Sequence, residues 1–446
     1  MTGPSERRGF TRRQTIAGLG TVGLAGGLGW VHARYYGEYD RPQSEFDPDL
    51  LPHDRTYPGD DGVTMFRHGS RRLGYYPDAV VPDRVEIEWS MPVNEIGHTA
   101  AKSSPRPTPD GEVVLIPADT GRIHAVRPDG EPLWSTRTAA ILQGFHGTPL
   151  IVDGTAYLGG YDGSMYAFDV ETGRRVWKTS NWQLRGSIAI GSSPAYWDGV
   201  IYVVAEYNYP WQEPSGTMWA LDAATGRPLW YDDRLWGMPH PSTAIDPAAE
   251  RMVTGSNDGV CYAWEFPSLE FAWAFQTGAE IKGTIPTYDG GAFVGSWDGN
   301  FYRVDIEDGT EEWRFEVGRS IMSNPGIDPE AGIVYVGADD NRVYALDTDT
   351  GERLWSKGVG GNVIGSLSVT SDSVLVGSYD RHLYALDKVT GGTRWRVECR
   401  GHVTSEAVPC GDRIFVAERA DIAGYWDDDE PDVLREWGHA YGIVSE

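Results

Sequence analysis

Tryptophan residues recur along this chain at nearly constant spacing, and that spacing constrains the fold more than any other feature. Neighbouring members of the series are 40 to 53 residues apart. A period near 40 residues is typical of repeat architectures in which each repeat is one supersecondary unit. The series consists of Trp89, Trp134, Trp177, Trp230, Trp273, Trp313, Trp355, Trp395 and Trp437. Its eight intervals predict eight units, and a count of seven is the structural alternative.

Each unit reads as four short antiparallel strands, which we name A to D. Strand B alternates in polarity, as in Val334–Val336, and an Asp-Gly pair such as Asp162-Gly163 often follows it. Such pairs tolerate positive φ and favour tight hairpins between strands B and C. The recurring tryptophan falls on strand D, where a side chain of that size is expected to pack between neighbouring units. The pattern predicts an all-β, eight-bladed β-propeller with the tryptophans as structural residues.

The expected strand A gives an independent count of the units. One small or hydroxyl-bearing residue stands near the start of each: Ser103, Gly147, Ser192, Ser242, Thr284, Ser323, Ser366 and Ser405. Inner strands of a propeller crowd toward one axis, where small side chains fit. The last unit, from Arg413 to Trp437, is degenerate, and we expect the amino-terminal strand 85–90 to help close the ring there.

The pattern Ala-x-Asp-x-x-Thr-Gly-x-x-x-Trp, present at Ala167–Trp177, Ala220–Trp230, Ala345–Trp355 and Ala385–Trp395, resembles the tryptophan-docking repeat of PQQ-like β-propellers. Residues Met65–Pro77 also resemble the lead-in that precedes the first blade in that family. The resemblance implies a propeller over residues 61–446. It also implies kinship with two kinds of protein, a noncatalytic scaffold of outer-membrane assembly and the quinoprotein dehydrogenases.

The dehydrogenase branch of this family implies PQQ and calcium at the ring axis, beside a vicinal cysteine pair. The three cysteines here, Cys261, Cys399 and Cys410, are not adjacent, and no set of Glu, Asn and Asp residues can be matched to the family's calcium site. We therefore expect no cofactor, no bound metal and no catalytic residues. A PQQ-dependent dehydrogenase that uses the central axis remains the alternative function.

Residues 1–33 resemble a twin-arginine export signal. Arg12-Arg13 precede an uncharged stretch, Ile16–Val31, and Val31-His32-Ala33 resembles a cleavage site. An uncleaved anchor is the alternative, and it would be the chain's one link to a membrane. Residues 34–60 read as a linker. We expect an exported protein, outside the cytoplasm or on the cell surface.

The formal net charge is −27, which disfavours binding to nucleic acid because phosphate contacts need clustered cations. Lysine occurs at five positions while aspartate is abundant, a composition that resembles proteins of halophilic archaea. The partner is therefore expected to be a protein or a small polar ligand.

The candidate binding face carries the B–C and D–A connections, which share one side of the ring. In the third unit the B–C connection expands to Glu206–Ser215, and it offers the aromatic residues Tyr207, Tyr209 and Trp211. His98, Arg185, Lys282 and Arg319 are expected at the rim of the central channel on the same side, where they could hold a polar or anionic ligand. We therefore predict a noncatalytic binding or scaffold propeller.

Overall fold

The computed structural model describes residues 62–95, 103–141, 143–423 and 433–446. The export signal and linker predicted for residues 1–60 lie outside these ranges, as does His98. Within them the structure consists of strands and turns. No helix in the described ranges is long and apolar enough to cross a bilayer. Two strands precede the first blade: β1 (Tyr75–Tyr76) and β2 (Val85–Asn94).

Blades 1 to 4 are four-stranded antiparallel sheets in which the strands pair in chain order. Blade 1 comprises β3 (Arg106–Pro107), β4 (Val114–Pro117), β5 (Arg122–Val126) and β6 (Pro132–Arg137). Blade 2 comprises β7 (Leu150–Val152), β8 (Thr155–Gly159), β9 (Met165–Asp169) and β10 (Arg175–Thr179). Blade 3 comprises β11 (Ala195–Trp197), β12 (Val200–Tyr207), β13 (Ser215–Asp222) and β14 (Pro228–Trp236). Blade 4 comprises β15 (Ala244–Asp246), β16 (Arg251–Gly255), β17 (Val260–Glu265) and β18 (Phe271–Gln276).

Blades 5 to 7 repeat this order, and β1 adds a parallel strand to the inner edge of blade 7. Blade 5 comprises β19 (Thr287–Tyr288), β20 (Gly291–Gly295), β21 (Asn300–Asp305) and β22 (Glu311–Glu316). Blade 6 comprises β23 (Gly326–Asp328), β24 (Ile333–Ala338), β25 (Arg342–Asp347) and β26 (Arg353–Gly358). Blade 7 comprises β27 (Leu367–Thr370), β28 (Ser373–Ser378), β29 (His382–Asp387) and β30 (Thr393–Glu398).

Blade 8 is assembled from both ends of the propeller. Its carboxy-terminal strands are β31 (His402–Val403), β32 (Val408–Cys410), β33 (Arg413–Arg419) and β36 (Gly438–Ser445), and β2 pairs with β36 as the outermost strand. A separate hairpin of β34 (Asp421–Ala423) and β35 (Val433–Glu436) extends the connection between strands B and C. The predicted count of eight blades is confirmed, and the amino-terminal strand closes the ring.

The tryptophans of strand D dock onto the next blade. In seven interfaces the indole N–H donates to a backbone carbonyl of the following blade at 2.8 to 3.1 Å; the donors are Trp89, Trp134, Trp177, Trp273, Trp313, Trp355 and Trp395. At the eighth interface, between blades 3 and 4, Trp230 is 1% exposed and packs in one cluster with Phe266 and Leu269. These eight side chains therefore act as wedges between blades.

Trp437 differs from the other eight tryptophans, and its predicted structural role needs correction. It lies just before β36, which is strand C of blade 8, and its side chain is 43% exposed. The docking position of blade 8 belongs to Trp89, because the amino-terminal strand β2 takes the outer place in that sheet. The series of nine tryptophans therefore includes two residues from blade 8, Trp89 and Trp437.

The Thr-Gly pair of the repeat has a steric reason. Gly351 adopts φ +69° and lies against the Trp313 indole, so an added Cβ would come within 2.7 Å of that ring. The aspartate three residues before the threonine fixes the turn, since Asp347 Oδ1 accepts bonds from the amide and hydroxyl of Thr350 at 2.9 Å. The repeat motif thus encodes a turn with glycine at its tip, and the absence of a side chain there lets the tryptophan of the neighbouring blade pack against the backbone.

Hydrogen bonds between residues that immediately precede the inner strands form a belt around the ring axis, with one member per blade and seven links between neighbouring blades among the described residues. In most links the backbone amide of one member donates to a side-chain oxygen of the next. The belt consists of Ser104, Thr148, Ser193, Ser242, Thr284, Asn324, Ser366 and Glu406. The Glu406 amide donates to Ser104 Oγ at 2.9 Å, which joins blade 8 to blade 1. Of the small or hydroxyl-bearing residues predicted for these positions, Ser242, Thr284 and Ser366 belong to the belt, and the other five lie one position before a belt member.

The lead-in segment before β2 crosses the ring on the side of the A–B and C–D turns, which we call the AB end. Its backbone accepts hydrogen bonds from the inner strands of blades 4 to 7 in turn, through the carbonyls of Ser70, Arg71, Leu73 and Gly74. The inner-strand residues that donate these bonds follow the belt by three positions, so this segment lies on the AB side of the belt.

Candidate functional site

Four buried side chains meet where the lead-in crosses the axis. Glu406 Oε2 lies 2.6 Å from Arg106 Nη2, Glu406 Oε1 lies 3.5 Å from Arg67 Nη1, and the Tyr76 hydroxyl donates to Glu406 Oε1 at 3.0 Å. Arg67 also donates to the backbone carbonyls of Leu367 and Pro325. Burial alone would raise the pKa of Glu406, but the charges of Arg106 and Arg67 outweigh it and lower that pKa. This cluster closes the AB end.

The opposite face, the BC end, carries the B–C and D–A connections. The expanded connection predicted in blade 3 is present, because β12 ends at Tyr207 and β13 begins at Ser215. Tyr209 stacks on Trp211 with ring centroids 5.0 Å apart and an interplanar angle of 13°, and the Trp211 side chain is 75% exposed. The loop therefore presents an ordered aromatic pair to solvent.

Tyr207 occupies a different environment from the other two aromatic residues. Its side chain is 6% exposed, and its hydroxyl donates to the Leu184 carbonyl at 2.7 Å and accepts from Trp219 Nε1 at 3.2 Å. Strand B continues to this residue, so its ring faces the core of blade 3. Tyr207 thus supports the loop from beneath and has little surface to offer a ligand.

The D–A connection that leads into blade 3 lies against the same loop. The Tyr209 hydroxyl donates to the Gly186 carbonyl, in the same turn as Leu184. This connection carries Trp182, which is 81% exposed and which sequence analysis missed. We call Trp182, Tyr209 and Trp211 the blade 3 aromatic patch.

The predicted cations occupy different positions on this face. The Arg185 guanidinium lies 4.6 Å from the centroid of the Tyr231 ring and 3.5 Å from Asp233 Oδ2, beside the patch. Arg319 is exposed on the turn between blades 5 and 6. The Lys282 ammonium lies 4.9 Å from the centroid of the Trp297 ring, and Lys282 precedes the belt residue Thr284 by two positions. Arg185 and Lys282 therefore belong to separate surroundings.

Lys282 is part of a group near the ring axis, on the BC side of the belt. His240 likewise precedes its belt residue, Ser242, by two positions, and its Nδ1 lies 3.4 Å from Glu206 Oε1. Burial lowers the pKa of Lys282, and the carboxylates of Glu280 and Glu206 partly offset this effect. Glu206 belongs to blade 3 and Lys282 to blade 5, and side chains two blades apart are near enough to interact only close to the axis.

Trp297 and Asn257 occupy equivalent turns in blades 5 and 4. Each follows a serine whose amide donates to a carbonyl four residues ahead, at 3.1 Å, across the Asp-Gly turn. Glu206 and Trp297 each donate a backbone N–H to the D–A connection of their own blade. We call Glu206, His240, Asn257, Lys282 and Trp297 the axial cluster. Sequence analysis found Lys282 alone, because the position before the turn aspartate varies freely from blade to blade.

Among the residues that the structure describes, no three His, Cys, Asp or Glu side chains are grouped so that they could hold a metal ion. We derive no catalytic step through a metal ion or PQQ.

Fold and repeat together define an eight-bladed propeller of the tryptophan-docking class. A family model described as outer membrane protein assembly factor BamB matches residues 84–230, 233–356 and 320–426. Since these matches span most of the chain, the chain belongs to that family.

Two curated relatives show the range of proteins that contain this repeat. The serine/threonine-protein kinase AfsK of Streptomyces coelicolor is 28% identical over 250 residues, which cover 54% of this chain and 27% of the kinase. The outer membrane protein assembly factor BamB of Yersinia pestis is 26% identical over 249 residues, which cover 54% of this chain and 58% of that protein. The chain thus spans about a quarter of the kinase and less than two thirds of the assembly factor.

A solved structure of a europium-containing methanol dehydrogenase superposes with a TM-score of 0.68 at 13% identity. The match covers 86% of this chain and 98% of that chain. At this level of identity the likeness shows a shared fold and nothing about activity.

Proposed function

We propose that this protein is an exported, noncatalytic propeller that binds a protein partner through its BC face. The observation that carries the proposal is the blade 3 aromatic patch, in which Trp182 and Trp211 are 81% and 75% exposed. Large aromatic side chains are enriched at the energetic centres of protein interfaces. The two connections that carry them are tied by the bond from Tyr209 to Gly186, so little ordering entropy opposes binding.

The family supports a protein partner over other ligands. Its model is named for an assembly factor of outer membrane proteins, and the Yersinia pestis relative carries the same name. The net charge of −27 opposes binding to polyanions. A location outside the cytoplasm suits both the family and the twin-arginine motif.

The test of the interface is affinity capture with three forms of the full chain. The patch variant replaces Trp182 and Trp211 by alanine, and the control replaces Trp197, a 38% exposed tryptophan at the end of β11 on the AB face. We expect wild type and control to retain the same partner protein and the patch variant to lose at least tenfold of it. Equal capture by all three forms would remove the patch from the proposal. Capture of no protein by wild type would refute the scaffold itself.

Export is tested by localisation of the native chain. Replacing Arg12 and Arg13 by lysine should leave the protein in the cytoplasm, because the twin-arginine address is read by a receptor. The matched control carries the same changes at Arg7 and Arg8 and should be exported normally. Unimpaired export of the first variant would show that another route is used.

The alternative, a PQQ-dependent dehydrogenase, makes an opposite biochemical prediction. Under the scaffold proposal, incubation with PQQ and calcium should give neither bound-cofactor absorbance nor dye reduction with alcohols or sugars. Stoichiometric cofactor absorbance together with dye reduction would replace the scaffold proposal by the enzymatic one.

A further inference from the structure

The axial cluster contains buried polar atoms that have no hydrogen-bond partner among the described residues. They include Trp297 Nε1, a donor, together with Asn257 Oδ1 and Glu206 Oε1, both acceptors. Burying such atoms unpaired costs about 1–3 kcal/mol each. Nearly all buried polar groups in folded proteins are paired, so several orphans in one place point to a missing partner.

The charged members of the cluster are also poorly neutralised. The contact of Glu206 Oε1 with His240 Nδ1, at 3.4 Å, is longer than a good hydrogen bond. The Lys282 ammonium contacts the face of the Trp297 indole and has no carboxylate oxygen of the described residues within 4.0 Å. Glu206 is 2% exposed, so water cannot compensate freely for the missing partners.

The Glu206 carboxylate packs closely against a glycine. Gly191, in the connection that leads into β11, lies beside it, and an added Cβ there would come within 2.8 Å of Glu206 Oε1 and 3.1 Å of the Tyr161 hydroxyl. A side chain at position 191 would therefore displace the carboxylate from its present position. The buried cluster around Glu406 lies on the opposite, AB side of the belt, so a ligand of the axial cluster would enter from the BC end.

We propose that the axial cluster binds a small carboxylic acid that also carries hydrogen-bond donors. The Lys282 ammonium and the Trp297 N–H would receive the ligand carboxylate, since both are donors. Glu206 and Asn257 would accept bonds from hydroxyl or ammonium groups of the same molecule. The ligand class follows from this pairing of two donors with two acceptors, and it needs no metal ion.

This site is separate from the protein interface proposed above, and each can fail alone. The patch variant without Trp182 and Trp211 should bind the acid as wild type does. Loss of the acid site should likewise leave partner capture unchanged.

The experiment is calorimetric titration of the full chain with four probes. D-Gluconate offers a carboxylate and hydroxyl donors, and L-glutamate offers carboxylates and an ammonium donor. D-Glucose lacks the carboxylate, and acetate lacks the donors. We expect gluconate or glutamate to bind with one site per chain, and glucose and acetate to bind at least tenfold more weakly. The acid that binds more tightly shows whether the site prefers hydroxyl donors, as in gluconate, or an ammonium donor, as in glutamate.

Matched variants assign the site to its residues. Lys282→Met should weaken binding of the preferred acid at least tenfold, because the ammonium is the proposed cation of the site. Trp297→Phe, which keeps an aromatic face and removes the N–H, should weaken it severalfold. Lys357→Met, on the outer strand of blade 6, should have no effect. Unchanged thermal unfolding midpoints would show that all three variants fold.

Three results would overturn the proposal. The first is that neither acid binds to wild type. The second is that Lys282→Met binds as tightly as wild type. The third is that glucose binds as well as gluconate, which would mean that the carboxylate is not recognised.

Discussion

The two ends of the ring axis use the same kinds of residue in opposite ways. At the AB end the carboxylate of Glu406 contacts two guanidinium groups and a tyrosine hydroxyl. At the BC end the equally buried carboxylate of Glu206 has one distant contact with His240. The first arrangement closes the ring and holds the lead-in. Both ends contain unpaired buried atoms, but at the AB end these are the Nε atoms of Arg67 and Arg106, whose charge Glu406 neutralises, whereas at the BC end they include the carboxylate oxygen Glu206 Oε1 itself.

A third buried glutamate completes the comparison. Glu418 lies at the BC end of blade 8, and its carboxylate accepts bonds from the amides of Gly401 and His439 and from the Tyr441 hydroxyl. Burial raises the pKa of Glu418 to about 7, although these donors partly oppose the effect. For Glu406, in contrast, two adjacent guanidinium groups lower the pKa. Opposite charge, rather than the number of hydrogen bonds, decides which buried carboxylate ionises easily.

The largest expected effect comes from Glu406→Gln, which keeps the shape of the side chain and removes its charge. Arg67 and Arg106 would remain buried without a counter-charge, so the free energy of unfolding should fall by about 3–5 kcal/mol. Chemical denaturation followed by tryptophan fluorescence measures this loss.

The control for that variant is Glu398→Gln, which breaks the exposed pair of Glu398 with Arg381 at 3.8 Å. Exposed pairs contribute little, so the cost should stay below about 0.5 kcal/mol. Similar losses in the free energy of unfolding for the two variants would show that the buried ion pairs at the AB end do not stabilise the fold.

The features that could be predicted from sequence are those that depend on local spacing. The turn at Asp347 and Thr350, the bare glycine at position 351 and the docking tryptophan at position 355 all lie within nine residues. The period therefore gave the blades and their number directly. The prediction went wrong where the chain ends meet, because Trp89 and Trp437 both fall in step with the series although one blade contains both.

The axial cluster could not be predicted, because its members lie far apart in the chain and share no residue type. Glu206 and Lys282 come together only when blades 3 and 5 are placed around one axis. Tyr207 was misplaced for a related reason, since sequence does not show where strand B of blade 3 ends. Trp182 lay in a connection of ordinary length and gave no signal of its exposure.

The second-largest expected effect is a pH dependence of stability that arises from Glu418 at the BC end and not from Glu406 at the AB end. The folded-state pKa of Glu418, about 7, lies above its ordinary value of 4.5, so the native state binds the extra proton between these values. Stability from this group is therefore fully present below about pH 4.5 and is lost as pH rises through 7, by an amount on the order of 3 kcal/mol.

Denaturation midpoints measured between pH 5 and 8 test this prediction. Glu418→Gln should flatten the decline, because the group that releases the proton is gone. In Glu406→Gln the decline should persist, since the lowered pKa of Glu406 keeps it ionised throughout this range. An equal decline in wild type and Glu418→Gln would assign the proton to another group.

The smallest expected effect is that of Glu206→Gln, the same isosteric change at the open end of the axis. Glu206 gains little from His240 at 3.4 Å, and neutralising a poorly paired buried carboxylate removes a cost of burial. The free energy of unfolding should change by less than about 0.5 kcal/mol, while binding of the preferred acid should weaken severalfold. A loss of stability comparable to that of Glu406→Gln would mean that the axial cluster stabilises the fold, and that both ends of the axis have a structural role.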